Sequence, residues 1–197
     1  MIRVWDPVVR LFHWGLAACF ALAWLTAEEV QGAHEVIGYA AAALVALRVV
    51  WGIVGSPYAR FAQFVRGPGA VVGYLRDMAS GRERRHIGHN PAGAAMTVAL
   101  LLSMAGTAWT GWLMAEPERQ ALLPAVVAPA FADDHHKGEG HEEGPVKELH
   151  EALANLMLFL VVLHLGGVAL ASMRHHENLA RSMVTGLKRP AEPGDVA

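Results

Sequence analysis

In the run HEALANLMLFLVVLHLGG two histidines stand 14 residues apart, His150 at its head and His164 deep in its apolar part. A neutral imidazole offers one lone-pair nitrogen and one N–H, and it is the commonest protein ligand for transition metals. Buried in an apolar medium it is costly unless a metal or a hydrogen bond engages it. On an α-helix, 14 residues correspond to about 21 Å of rise and about 40° of rotation. The two rings therefore share a face at widely separated levels. His13 and His34, also in or beside apolar runs, are available as partners. The chemistry to weigh is metal ligation by paired imidazoles, and its geometry depends on the elements that carry them.

Those elements are membrane spans. The 197-residue chain is 54% hydrophobic and 17% charged, which is too oily for an ordinary soluble domain. Four stretches meet the requirement of roughly 20 helical residues for crossing a bilayer: Pro7–Thr26, Val36–Gly55, Pro91–Ala115 and Leu153–Met173. The last two contain no charged residue, whereas Arg10 and His13 lie early in the first and Arg48 late in the second. Arg3 and Arg10 ahead of an apolar run imitate a secretory signal, but the segment is expected to be retained because it carries His13. The single cysteine, Cys19, excludes an intramolecular disulfide and a cysteine-based metal cluster. A single domain over 1–197 is expected, all-α, folded as a four-helix up-down-up-down bundle.

Charge sets the expected orientation. With both termini and the Ser56–Asn90 connection on one side, that side holds 13 of the 16 Lys and Arg residues. This is the positive-inside signature of a bacterial inner membrane, with both termini cytoplasmic. The Arg-rich connection is expected to lie on the membrane as one or two short amphipathic pieces, broken at Gly67-Pro68-Gly69 and Ser80-Gly81. Orientation and anionic lipid account for its arginines, so nucleic acid is not expected as a partner. Asn90-Pro91 is a helix start, with Asn as the cap. The opposite loops are acidic and favour a basic soluble partner, or are ordinary solvated charge. One of them, 116–147, includes the tract DDHHKGEGHEEG, a solvated periplasmic segment with some capacity for metal.

In that topology the first helix runs outward and the second and fourth begin outside or return from it. His13 then meets His164 at the inner level, and His34 meets His150 at the outer level. One pair of imidazoles per level suits haem, whose macrocycle supplies the other four iron ligands. Zinc suits it less well, since a closed zinc site wants four protein ligands at one point. Gly38, Gly166 and Gly167 lie close to these histidines in sequence and either clear space for a macrocycle or serve contacts between helices. Arg48, 14 residues after His34, and Arg10 are candidates for the anionic haem propionates, or for lipid phosphate. The other histidines, His86, His89, His135, His136, His141, His175 and His176, are expected to be interfacial or solvated.

HEALANLMLFLVVLHLGG, followed by HHENLARSMVTGLKRP, resembles the last helix and tail of the prokaryotic cytochrome b561 family. RVWDPVVRLFHWGL resembles the first helix of that family and of the related nickel-hydrogenase b-type cytochromes. The similarity runs over all four spans, and HEVIGY on the second is suggestive only. The resemblance implies a membrane bundle with two b-type haems, each held by two histidines, that moves electrons between a quinone pool and a partner. It implies haem-ligand roles for His13, His150 and His164 directly, and for His34 by its position; the His-rich tract departs from the family's pattern.

The reading that follows is a dihaem b-type cytochrome carrying electrons across the inner membrane in respiratory electron transport. Quinone or quinol and a periplasmic redox protein such as a c-type cytochrome are its exchange partners, and membrane lipid surrounds it. A homodimer is compatible with the sequence. Two rivals stand beside it: a metal-ion transporter or sensor that uses the His-rich loop, and a haem-free anchor subunit of a redox enzyme whose histidines only hydrogen-bond between helices.

Overall fold

A computed structural model describes residues 1–116, 118, 119 and 144–196, so the His- and acid-rich tract up to Glu143 lies outside the described residues. A short strand β1 (Ile2–Arg3) leads into α1 (Pro7–Thr26), α2 (Gln31–Val54), a single 3-10 turn (Pro57–Ala59), α3 (Phe61–Phe64) and α4 (Pro68–Ala79). Then come α5 (Pro91–Ala115), α6 (Pro145–Arg174), α7 (Leu179–Thr185) and strand β2 (Leu187–Lys188). Among the described residues α1, α2, α5 and α6 are long and apolar enough to cross a membrane.

The helix boundaries follow local chemistry. Asp6 accepts a hydrogen bond from the Val9 N–H at 2.9 Å and Pro7 opens α1. Asn90 accepts one from the Gly93 N–H at 2.7 Å and Pro91 opens α5. In both cases the side-chain oxygen satisfies an otherwise orphaned donor, and proline costs nothing where no intrahelical N–H bond is made. The expected breaks hold as well: Gly67 precedes α4, Ser80 ends it, and Gly81 has φ 67°. The second and fourth helices start earlier than their apolar windows, at Gln31 and Pro145. Hydropathy marks only the part that suits lipid. The added turns of α6 carry Glu148 in the first turn, favourable at the positive helix end, and a Lys147–Glu151 pair at 3.7 Å.

α1 packs on α2, α2 on α5 and α5 on α6, while neither α1 nor α2 has an extended interface with α6. The chain bridges that gap at mid-height, where Ala41 and Val45 of α2, Met104 of α5 and Met157 of α6 form a buried cluster flanked by Leu16, Cys19, Phe20 and Val161. Outward-facing Leu25, Ile53, Leu102, Phe159, Val162 and Leu165 remain exposed, as the lipid-facing side of a span requires.

The end that carries the strands is closed by the chain's two extremities. β1 and β2 pair antiparallel, with Ile2 opposite Lys188. The N–H groups of Val4 and Trp5 donate to the Gly186 carbonyl at 2.9 and 3.2 Å. Gly186 has φ 81°, and a Cβ there would stand 2.5 Å from the Trp5 carbonyl oxygen, so only glycine fits the turn. Beneath lies a buried ionic cluster: Glu177 pairs with Arg85 at 2.8 Å and with Lys188 at 3.3 Å, and Arg85 also pairs with Asp195. Val196 donates to the Arg85 carbonyl and accepts from the Ile87 N–H. Two cations that orientation statistics treat as surface charge, Arg85 and Lys188, are thus 6% and 4% exposed.

Burial works to raise the Glu177 pKa, but hydrogen bonding from Arg85 and the attraction of Lys188 outweigh it and hold the carboxyl below its ordinary value. A depressed carboxylate stabilises the fold above its unfolded pKa, about 4.3, and that contribution is lost as pH falls through the lower folded value. The closure is therefore expected to hold at neutral pH and to open below about pH 4. Glu177→Gln removes the carboxylate that Arg85 and Lys188 share, leaving Arg85 with Asp195 and Lys188 with the His86 and Ile87 carbonyls, and should cost about 1–3 kcal/mol, read as faster amide exchange over residues 186–196 in detergent with α5 unaffected.

Candidate cofactor site

The four apolar-run histidines come together as two pairs. His13 of α1 faces His164 of α6 with ring centroids 6.2 Å apart, and His34 of α2 faces His150 of α6 at 6.1 Å. Both pairs span the gap where α6 lacks an extended interface with α1 and α2. All four rings are half-buried. α6 is unbroken from Pro145 to Arg174, so its two histidines are separated by about 21 Å of axial rise. Met157 lies midway and fills the space between the levels.

At the His34 level the ring orientations are fixed. His34 Nδ1 lies 2.8 Å from the Ala23 carbonyl oxygen of α1, and a carbonyl can only accept, so this nitrogen carries the proton. His150 Nδ1 lies 2.9 Å from Thr110 Oγ1. That hydroxyl also has the Gly106 and Thr107 carbonyls within 3.0 Å; its one proton goes to them, leaving a lone pair to accept from His150 Nδ1–H. Each ring thereby presents an unprotonated Nε2, the state a metal ligand needs, with its other nitrogen anchored. Gly111 lets the His150 ring lie on α5, since a Cβ there would meet its Cε1 at 3.3 Å. At the other level, His13 Nδ1 is buried with no hydrogen-bond partner.

These distances fit a metal between the rings. An imidazole nitrogen binds a metal at about 2.0–2.1 Å and lies roughly 1.1 Å from its ring centroid, so two imidazoles on opposite sides of one ion have centroids about 6.2–6.4 Å apart. Two nitrogens per ion satisfy haem iron. They do not close a zinc site, and among the described residues no group of three or more His, Cys, Asp or Glu could hold a metal ion. A Cβ at Gly38, Gly166 or Gly167 meets nothing within 4 Å, and Gly166 and Gly167 are exposed. Contact between helices, the other use expected of these glycines, is thus not made.

The cationic candidates sit at the His13 level. Arg48 does not reach toward lipid. It is 5% exposed, its Nη2 donates to the Ala59 carbonyl at 3.2 Å, and its guanidinium carbon lies 4.8 Å from the Phe61 ring centroid. Gly52, one turn on, has no room for a Cβ because the Phe61 ring occupies that space at 2.1 Å. Arg10 donates through Nη1 to the Val184 carbonyl at 2.9 Å. Arg48 Nη1 and Arg10 Nε are buried without partners.

His89, expected to be interfacial or solvated, lies two residues ahead of α5 with intermediate exposure. It packs between Trp5 and Phe64, with centroids at 4.8 and 4.3 Å, and its Nδ1 is buried without a partner. Burial, with smaller contributions from Arg48, Lys188 and His164, takes its pKa down to about 3, so the ring is neutral at physiological pH. His86 is half-buried against Tyr74, and its Nδ1 donates to the Arg84 carbonyl at 3.0 Å. Neither His89, Thr110 nor Gly111 is marked by hydropathy, although a histidine directly ahead of an Asn-Pro helix start and a threonine in an apolar span were the available signals.

The profile of prokaryotic cytochrome b561 matches residues 4–186, which takes in every span and all four paired histidines. No curated protein and no solved structure matches the chain. Four spans and this match over nearly the whole length place the chain in the prokaryotic cytochrome b561 family, multi-pass membrane b-type cytochromes that bind haem and transfer electrons.

Proposed function

We propose that the chain is a dihaem cytochrome that carries electrons across the bacterial inner membrane. His13 and His164 would hold the iron of one b haem, and His34 and His150 that of the other. The observation that carries this reading is the pair of imidazole couples, 6.2 and 6.1 Å between centroids, strung on one helix. Bound there, haem would supply a one-electron couple at each level.

The chain's residues do the rest. Each imidazole couple would supply both protein ligands of its iron, leaving no position for oxygen or a small substrate and restricting the protein to electron passage. Ala23 and Thr110 hold the outer imidazoles in the ligating tautomer. Arg10 and Arg48 would offer N–H donors to the inner propionates. With the bundle up-down-up-down and both termini cytoplasmic, as the distribution of cations supports, the His13 level lies inside and the His34 level outside. Quinone or quinol and a periplasmic redox protein such as a c-type cytochrome are the fitting exchange partners.

Purified protein should show about two low-spin b haems per chain in a dithionite-reduced minus oxidised spectrum with haem quantified, and a colourless protein would sink the reading. His164→Ala is expected to remove the haem shared with His13 and spare the other, with His34→Ala doing the reverse; loss of the same component in both variants contradicts the pairing. Thr110→Val deprives His150 of its acceptor and should weaken haem retention at the outer level about 10–100-fold, measured by transfer of haem to a competing apoprotein.

A further inference from the structure

Buried polar atoms without partners are rare in folded proteins because each costs the full desolvation of its group. Among the described residues such side-chain atoms are Arg10 Nε, His13 Nδ1, Arg48 Nη1, His89 Nδ1 and Arg189 Nε. All are nitrogens. Arg189 belongs to the closure formed by the chain's extremities, where its backbone N–H donates to Glu177 and its Nη1 to Glu192. The other four belong to the half of the bundle that holds His13 and His164.

Three of these four, on Arg10, Arg48 and His89, lie off the ligand pair. Arginine nitrogens are obligate donors, and a neutral imidazole donates from one nitrogen. The nearest carboxylate by sequence and charge, Asp6, is already committed: it accepts from Val9, Trp51 and Ser56 and acts on Arg48 only through its field. An acceptor from outside the chain is therefore called for, anionic because two of the three groups are guanidinium.

The ring of His89 is held for this role. Phe61 lies under the Arg48 guanidinium, Phe64 stands 5.7 Å from Phe61, and His89 stacks on Phe64 at 4.3 Å. The aromatic column sets His89 beside the arginine, close enough for Arg48 and His164 both to act on it electrostatically. Trp5 closes its other side.

We infer that His89 donates its Nδ1–H to a propionate carboxylate of the haem at the His13/His164 level, alongside Arg48. This rests on the dihaem reading above and adds a neutral donor that fixes the carboxylate without adding charge. Lipid phosphate offers the same anionic oxygens, but an Arg48 that is 5% exposed sits inside the protein rather than at a headgroup surface.

The test uses full-length protein with haem carrying 13C at the propionate carboxyls. It compares His89→Gln, which keeps a donor, with His89→Phe, which keeps the ring packing against Trp5 and Phe64. Redox titration reads the midpoint of each haem, and redox-induced infrared difference spectra read the labelled carboxylate bands. His89→Phe should lower the midpoint of the inner haem, leave the outer one unchanged and shift a labelled band, while His89→Gln stays near wild type. Should Phe behave as wild type while Gln does not, or the two variants behave alike, His89 is a packing residue and the inference falls. A normal midpoint shift with the labelled bands unmoved assigns the anion to lipid and also overturns it. Wild-type protein lacking the haem at this level overturns both this inference and the reading beneath it.

Discussion

An imidazole inside a membrane is costly unless a hydrogen bond or a metal engages it, and the bundle brings four of them together at two levels. The helix pairs that pack most directly, α1 with α2, α2 with α5 and α5 with α6, leave α6 apart from α1 and α2. Among the described residues the ring pairs that bridge from α6 to α1 and α2 are histidines, in two couples whose separations leave space for an ion between them. Packing alone would close such a gap with leucine and alanine. Only its middle is filled by apolar packing, with Met157 against Ala41, Val45 and Met104, and this layer separates the two histidine levels.

The two levels are finished differently. At the His34 level the supporting atoms are backbone and hydroxyl oxygens, Ala23 O and Thr110 Oγ1, which accept from the rings and hold them. At the His13 level the surrounding groups are donors: Arg10, Arg48 and His89, with nitrogens left over. Acceptors around one pair and donors around the other is a chemical polarity built into a nearly uniform apolar bundle. The closure by β1, β2 and the Glu177 cluster belongs to the donor-rich end and ties the loop that bears His89 to both extremities of the chain.

Much of this was legible in the residues. Hydropathy located two spans to the residue and the cores of the other two, and Asn90-Pro91 marked a helix start because capping is a local affair. The histidine couples followed from a 14-residue spacing and a topology, since depth in a membrane is nearly a function of position in a helix. His89, Phe61 and the Glu177 cluster were not legible, because their meaning lies in contacts across the chain: Trp5 to His89, Arg85 to Asp195, Arg48 to Phe61. A buried cation and a surface cation have the same letter in a sequence, and the tally of Lys and Arg that orients the chain counts Arg85 and Lys188 although neither faces solvent or lipid.

The mid-height cluster packs Met157 with Ala41, Val45 and Met104, flanked by Leu16, Cys19, Phe20 and Val161, an apolar layer between the two histidine levels. On the dihaem reading proposed above, an electron crossing this layer without a proton would make the passage electrogenic. Moving one electron through the full transmembrane field at 100 mV represents about 2.3 kcal/mol, and the two histidine levels enclose a large share of that thickness. On the dihaem reading such a bundle would act as a capacitor plate pair as much as a wire, and the direction of electron flow would decide whether it charges the membrane or discharges it.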